Sequence, residues 1–230
     1  MFITGTDTGV GKTLVAAALL EGLRAQGIRA VGMKPVAAGC ELVNGAWINE
    51  DVALLQAASA VSAPAGLVNP YLLREPMAPQ IAAEREGRRI ELAPIVAAYR
   101  ELERLAGLVV VEGVGGFRVP LNAQEDTADL AAALGLPVIL VVGMRLGCLN
   151  HALLTAEAIM ARGLNLIAWV ANQVDPDMPG FAENRQALSD RLKIPCLGTV
   201  FWMPNSGAQA LAKDLDLEVV LASVAAWKDE

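Results

Sequence analysis

Nine residues near the start carry the densest chemistry in the chain: Gly5-Thr6-Asp7-Thr8-Gly9-Val10-Gly11-Lys12-Thr13. They follow a short apolar start and open a stretch with helical spacing. A strand that ends in a glycine-rich turn aims several backbone N–H groups at one spot, and the following helix adds the positive end of its dipole. That is a phosphate cradle. Thr8, Gly9, Val10 and Gly11 would form it, Lys12 would lie along the β- and γ-phosphates, and the Thr13 hydroxyl would bind Mg²⁺. The segment is a variant of G-x-x-x-x-G-K-[ST]: Thr6 stands at the first glycine position and Gly5 lies one residue earlier.

A nucleotide loop needs an acid on the metal side and positive charge for the transferring phosphate. Glu112 closes the apolar block Leu108 to Val111 and precedes Gly113-Val114-Gly115-Gly116. A carboxylate at the carboxyl end of a buried strand projects into the crevice where α/β folds bind ligands. Asp51, in Asn49-Glu50-Asp51, is a second candidate, set against a solvated loop or a helix cap. Lys34 follows the apolar pair Val31 and Met33, so it would end a second strand beside the loop and neutralise charge on a phosphoryl group.

A second glycine-containing turn, Gly143 to His151, links an apolar run to a helical stretch and can hold a carboxylate or another phosphate, with Asn150 capping the helix or touching the anion. Cys148 and His151 sit three apart, but capping and packing occupy both and no orienting acid is near in sequence, so a nucleophile–base pair is set aside. Asn172 follows the run Leu166–Val170, where an amide can read a purine edge or simply end a strand. Phe201-Trp202-Met203-Pro204 can wall such a base; composition alone favours core packing and a loop.

The elements that must position these residues are legible as apolar blocks. Val109–Val111, Val138–Val142, Leu166–Val170 and Leu197–Phe201 read as strands covered on both faces. Thr13–Gln26, Ala128–Leu134 and His151–Arg162 read as helices stopped by Gly27, Gly135 and Gly163. Strand alternating with helix predicts an α/β fold, a mostly parallel sheet flanked by helices, P-loop nucleoside triphosphate hydrolase-like, as one domain over residues 1–230. The stretch Pro64–Pro79 reads as loops around the site, and the tail from Asp214 as a terminal strand or helix.

Of 230 residues, 54% are hydrophobic and 19% charged, which excludes intrinsic disorder. A net charge of −7 argues against nucleic acid or an anionic membrane as partner. Three scattered cysteines, Cys40, Cys148 and Cys196, read as reduced thiols, and one histidine excludes multi-histidine metal sites. No signal-like or membrane-spanning run is evident, so a cytoplasmic location is expected.

Together the segments resemble the dethiobiotin synthetases, ATP-dependent carboxylases that close the ureido ring in biotin synthesis. They are GTDTGVGKT, MKPVAAG from Met33, NED from Asn49, EPMAPQIAAEREG from Glu75, VEGVGG around Glu112, PVILVVGMRLGCLNHALLTAEAI from Pro137, and WVAN from Trp169. They run from residue 2 to about 204. The resemblance implies diaminopelargonic acid, CO₂ and Mg-ATP as reactants, and a carbamate and a carbamic–phosphoric anhydride as intermediates. It implies that Lys12 and Lys34 hold phosphate and carbamate, that Thr13, Asp51 and Glu112 hold Mg²⁺, and that Asn172 reads adenine. Leu146, Gly147, Cys148 and Asn150 would hold the substrate carboxylate from the second subunit of a homodimer. The chain departs from the family pattern at Gly9, Ala38, Ala78, Gln80 and Asn184. A nucleotide-switch ATPase of the same fold is the alternative; it lacks support because Thr6-Asp7-Thr8 fills the place of an additional early lysine.

Overall fold

A computed structural model describes residues 1–203 and 207–228. The chain opens with β1 (Phe2–Gly5), α1 (Lys12–Ala25) and β2 (Ala30–Met33). A run of short elements follows: β3 (Val36–Ala38), β4 (Glu41–Val43), β5 (Ala46–Ile48), α2 (Glu50–Ala58), α3 (Ala65–Val68), β6 (Tyr71–Leu73) and α4 (Pro79–Arg85). Regular alternation then resumes with α5 (Leu92–Ala106), β7 (Leu108–Glu112), α6 (Thr127–Leu134), β8 (Val138–Met144), α7 (Cys148–Ala161), β9 (Leu166–Gln173), α8 (Phe181–Leu192) and β10 (Cys196–Val200). The short α9 (Ala208–Leu211) and α10 (Leu217–Lys228) complete the described chain.

Six strands form one parallel sheet in the order β10-β9-β8-β1-β7-β2. The apolar runs need no polar alternation because both faces are covered. Val109 and Val111 of β7 share one face with Val138, Leu140 and Val142 of β8, packed with Ile95 and Leu102 of α5 and Ile159 of α7. Val110, Ile139 and Val141 share the other with Leu19, Leu20 and Leu23 of α1 and Val220 of α10. The strand order turns at β1, which lies between β7 and β8. A crevice therefore opens at the carboxyl ends of these strands, where β1 runs into the glycine-rich turn.

The helices stop before Gly27, Gly135 and Gly163, all with positive φ. Other expectations need correction. β9 runs on to Gln173, paired with β8 and β10, so Asn172 lies inside a strand. α7 starts at Cys148, three residues before the expected start, because Gly147 takes the left-handed position at its amino end. β10 ends at Val200, one residue short. The stretch 64–79 is only partly loop: it contains α3 and β6, and β6 pairs in parallel with β3. β4 and β5 form an antiparallel hairpin closed by Asn44 and Gly45, both at positive φ. No helix among the described residues is long and apolar enough to cross a membrane.

Gly32 of β2 shows how tightly the strand carrying Lys34 is seated. A Cβ there would fall 2.9 Å from Leu20 Cδ1 and 2.9 Å from Leu55 Cβ, so α1 and α2 both close on the bare backbone. Gly32→Ala is expected to lower stability by about 1–3 kcal/mol through overpacking. Urea unfolding checks this: the midpoint should fall with an unchanged slope.

Candidate active site

The turn from Thr6 to Gly11 leaves β1 and is tied to the sheet by main-chain and side-chain bonds. Thr6 N–H donates to Val141 carbonyl (3.0 Å) and the Thr6 hydroxyl accepts from Gly143 N–H (3.3 Å). Gly11 caps α1 at φ 86°, and a Cβ on it would fall 2.1 Å from Asn172 Nδ2. Asn172 uses that nitrogen to donate to the Val10 carbonyl at 2.8 Å. Asn172 therefore buttresses the turn from β9. No side chain caps α1 and no acid stands in its first turn, so its amino end suits an anion.

Lys12 is the first residue of α1, and its ammonium donates to the Asp7 carbonyl across the turn (2.7 Å). Burial, then the nearby Lys34 ammonium, lowers its pKa from 10.5 to about 8. Asp7 accepts from Thr8 N–H (2.8 Å) and pairs with Arg145 at 2.7 Å. That ion pair links the first turn to the second, and the sequence alone did not reveal it. The available signal was an arginine directly after the strand that neighbours β1.

Glu112 ends β7 with 1% exposure. One of its oxygens, Oε1, accepts from the Thr13 hydroxyl (2.8 Å) and pairs with the Lys34 ammonium. Lys34, one residue past β2, also lies 3.2 Å from Asp51 Oδ2. Asp51 is the second residue of α2; the cap of that helix is Asn49, whose side chain accepts from Val52 N–H. Burial pushes the Glu112 carboxyl up, against the Lys34 ammonium and the Thr13 hydroxyl, which favour its charged form. Removing either member of such a buried pair costs about 3–5 kcal/mol, because it strands a charge.

These residues fit a magnesium ion. Thr13, Asp51 and Glu112 offer hard oxygen ligands only, and Glu112 Oε2 is buried with no hydrogen-bond partner among the described residues. No cluster of three or more His, Cys, Asp or Glu side chains is gathered among those residues. Magnesium bound through one or two carboxylates normally completes its shell with phosphate oxygens and water. The surrounding cleft, about 880 Å³, is lined by Thr8, Gly9, Gly11, Lys12, Thr13, Lys34, Asp51 and Glu112. Ala38, Leu54 and Pro76–Pro79 line the cleft as well; of these, Leu54 was not singled out in the sequence.

Other residues singled out in the sequence stand apart from the cleft. Val10 buries its side chain, leaving only its backbone for a ligand. Leu146 is 95% exposed, Gly147 and Asn150 are exposed, and none of Leu146, Gly147, Cys148 and Asn150 lines the cleft. Asn150 does not cap α7, since Gly147 holds that position. Cys148 is buried, which pushes its thiol up, while His151 is exposed. Phe201, Trp202 and Met203 are not core: Trp202 is 54% exposed, and its backbone N–H donates to Gln173 Oε1 at 3.2 Å. β10 ends before them, so they leave the sheet instead of entering it. Pro204 lies outside the described residues.

A protein-family model described as an AAA domain matches residues 1–210. The ATP-dependent dethiobiotin synthetase BioD of Aromatoleum aromaticum is 55% identical over 216 residues, covering 94% of this chain and 96% of that protein. The enzymes of the same name from Xanthomonas oryzae and Xanthomonas campestris are 53% and 51% identical over the same shares. Among solved structures, the cell division ATPase MinD of Pyrococcus furiosus superposes with a TM-score of 0.58 at 16% identity, covering 96% of this chain and 98% of that one. A ParA family ATPase of Chlorobium tepidum gives 0.55 at 12% identity, covering 96% and 92%. At such identities the structures show the fold alone, that of a P-loop ATPase. The sequence relatives show more: more than half identical along 94% of its length, the chain belongs to the ATP-dependent dethiobiotin synthetase family.

Proposed function

We propose that the protein is a cytoplasmic ligase that joins CO₂ to 7,8-diaminopelargonic acid and closes the ring of dethiobiotin, splitting ATP to ADP and phosphate. The observation that carries this reading is identity of 51–55% with dethiobiotin synthetases across 94% of the chain. The geometry supports it, because the phosphate turn, two ammonium groups and a buried carboxylate converge on one cleft. The switch-ATPase reading has only fold likeness behind it, at 12–16% identity.

In this reading one amine of the substrate takes up CO₂ as a carbamate. A carbamate oxygen attacks the γ-phosphorus, ADP leaves, and a carbamic–phosphoric anhydride forms. The second amine then attacks the carbonyl carbon, expelling phosphate and closing the ring. The backbone of Thr8 to Thr13 holds the phosphates, Lys12 lies along them, and Lys34 holds carbamate against the γ-phosphate. Thr13, Asp51 and Glu112 would hold Mg²⁺, which when bound offsets the charge of the phosphate oxygens. No side-chain base is required, since phosphoryl transfer is chiefly positioning and charge stabilisation. The single histidine, exposed on α7, is consistent with that.

Asn172 can keep its bond to Val10 and still offer an N–H and an oxygen to adenine, with Phe201–Pro204 as the flanking wall. The turn at Leu146, Gly147, Cys148 and Asn150 would serve the substrate carboxylate in a second copy of the chain. The exposure of Leu146, Gly147 and Asn150 supports a homodimer with shared sites.

The direct test mixes protein, Mg-ATP, bicarbonate and diaminopelargonic acid. Dethiobiotin should appear with one ADP per ring; ADP without ring product, or ADP only with a partner protein, would reject the reading. Lys12→Ala should lower kcat by about 10²–10³-fold, the cost of one donor to developing charge. With a pKa near 8, Lys12 loses its charge as pH rises, so kcat/KM for ATP should decline above about pH 8 and kcat only at higher pH. The Lys12→Ala enzyme should lack that alkaline limb. Glu112→Gln should raise the Mg²⁺ concentration for half-maximal rate at least about tenfold; an unchanged titration would remove Glu112 from the ligand set.

A further inference from the structure

Thr13, Asp51 and Glu112, the three oxygen donors suited to magnesium, are all engaged in one cluster centred on a cation the chain itself supplies. The Lys34 ammonium pairs with Glu112 Oε1, lies 3.2 Å from Asp51 Oδ2, and donates to the Gly113 carbonyl at 3.4 Å. The Thr13 hydroxyl donates to the same Glu112 oxygen at 2.8 Å. Lys34 is buried, so its charge is satisfied by these oxygens and not by water. A divalent cation on the same oxygens would face an ammonium at close range in a partly desolvated site, where like charges repel strongly.

We propose that Lys34 is the resting occupant of the metal's oxygen ligands and changes places with Mg²⁺ only when a terminal phosphate gives the ammonium a new partner. This rests on the proposed function for the identity of the metal and the nucleotide. Its consequence is an entry rule. Metal alone binds weakly, because it must displace a buried ammonium with nowhere to go. Metal with a nucleoside triphosphate binds well, because the γ-phosphate receives Lys34. A diphosphate lacks that acceptor, so Lys34 also discriminates ATP from ADP before any chemistry. Glu112 Oε2, without a hydrogen-bond partner among the described residues, fits this scheme, since the resting cluster uses one carboxylate oxygen and leaves the other for a larger charge.

The test titrates the nucleotide-free, full-length protein with Mn²⁺ alone, counting free ion by its paramagnetic resonance. Lys34→Gln should bind Mn²⁺ at least about tenfold more tightly than the unaltered protein, and Lys12→Gln, which removes equal charge without vacating Glu112, should change affinity less than about threefold. Equal affinities for Lys34→Gln and the unaltered protein, or an equal gain in Lys12→Gln, would overturn the exchange. Should Lys34→Gln fail to fold in chelator, thermal unfolding decides. Millimolar Mg²⁺ should restore its transition while leaving that of the unaltered protein in place, and a variant that stays unfolded would overturn the proposal. Failure of the unaltered protein to bind Mg-ATP would reject the proposed function instead, with the Mn²⁺ comparison still judging the exchange.

Discussion

A carboxylate buried to 1% exposure stays charged only if cations and donors surround it, and Glu112 is surrounded by parts drawn from distant stretches of chain. Lys34 comes from the end of β2 and Thr13 from the first turn of α1, while Asp51, from the first turn of α2, reaches Lys34 and by its own negative charge pushes the Glu112 carboxyl up. β7 lies between β1 and β2, so the strand that ends in Glu112 sits beside both the phosphate turn and Lys34. The sheet order is therefore what brings the charges together. The same order opens the crevice at their side of the sheet, and the apolar faces of β7 and β8 fix the strands that define it.

The phosphate turn depends on close approach as much as on flexibility. Gly11 leaves room for Asn172, which ties the Val10 carbonyl to β9, so the cradle is held from the sheet and not only by α1. The turn satisfies its own charges: Lys12 donates to the Asp7 carbonyl and Asp7 pairs with Arg145. The Asp7–Arg145 pair is half exposed and contributes little to stability, yet it ties the phosphate turn to the turn after β8.

Long apolar strands and their terminal charges were legible in the sequence because burial on both faces leaves an unbroken run, and a charge at its end can only face the crevice. Glu112 and Lys34 were found in this way. Asn172 was placed just outside a strand because an amide looks like an end signal; pairing with both β8 and β10 carries the strand past it. Phe201 to Met203 looked like core by composition, but only the end of β10 decides which way they leave the sheet. The β3–β6 pair spans two distant short segments, a long-range contact that leaves no local pattern. The β4–β5 hairpin carries a local sign of its own, Asn44-Gly45, the dipeptide favoured in two-residue hairpin turns.

Such a site needs little from general acids and bases, which is why a chain with one histidine can belong to a family of ATP-dependent ligases. In the proposed function it needs a nucleotide's terminal phosphate placed against two ammonium groups. The most direct measurement is a crystal structure of the protein with Mg²⁺ and β,γ-methylene-ATP. The terminal phosphate is expected within hydrogen-bond reach of both Lys12 Nζ and Lys34 Nζ, with the metal on Glu112. A nucleotide seated elsewhere, or a terminal phosphate that touches neither lysine, would contradict it.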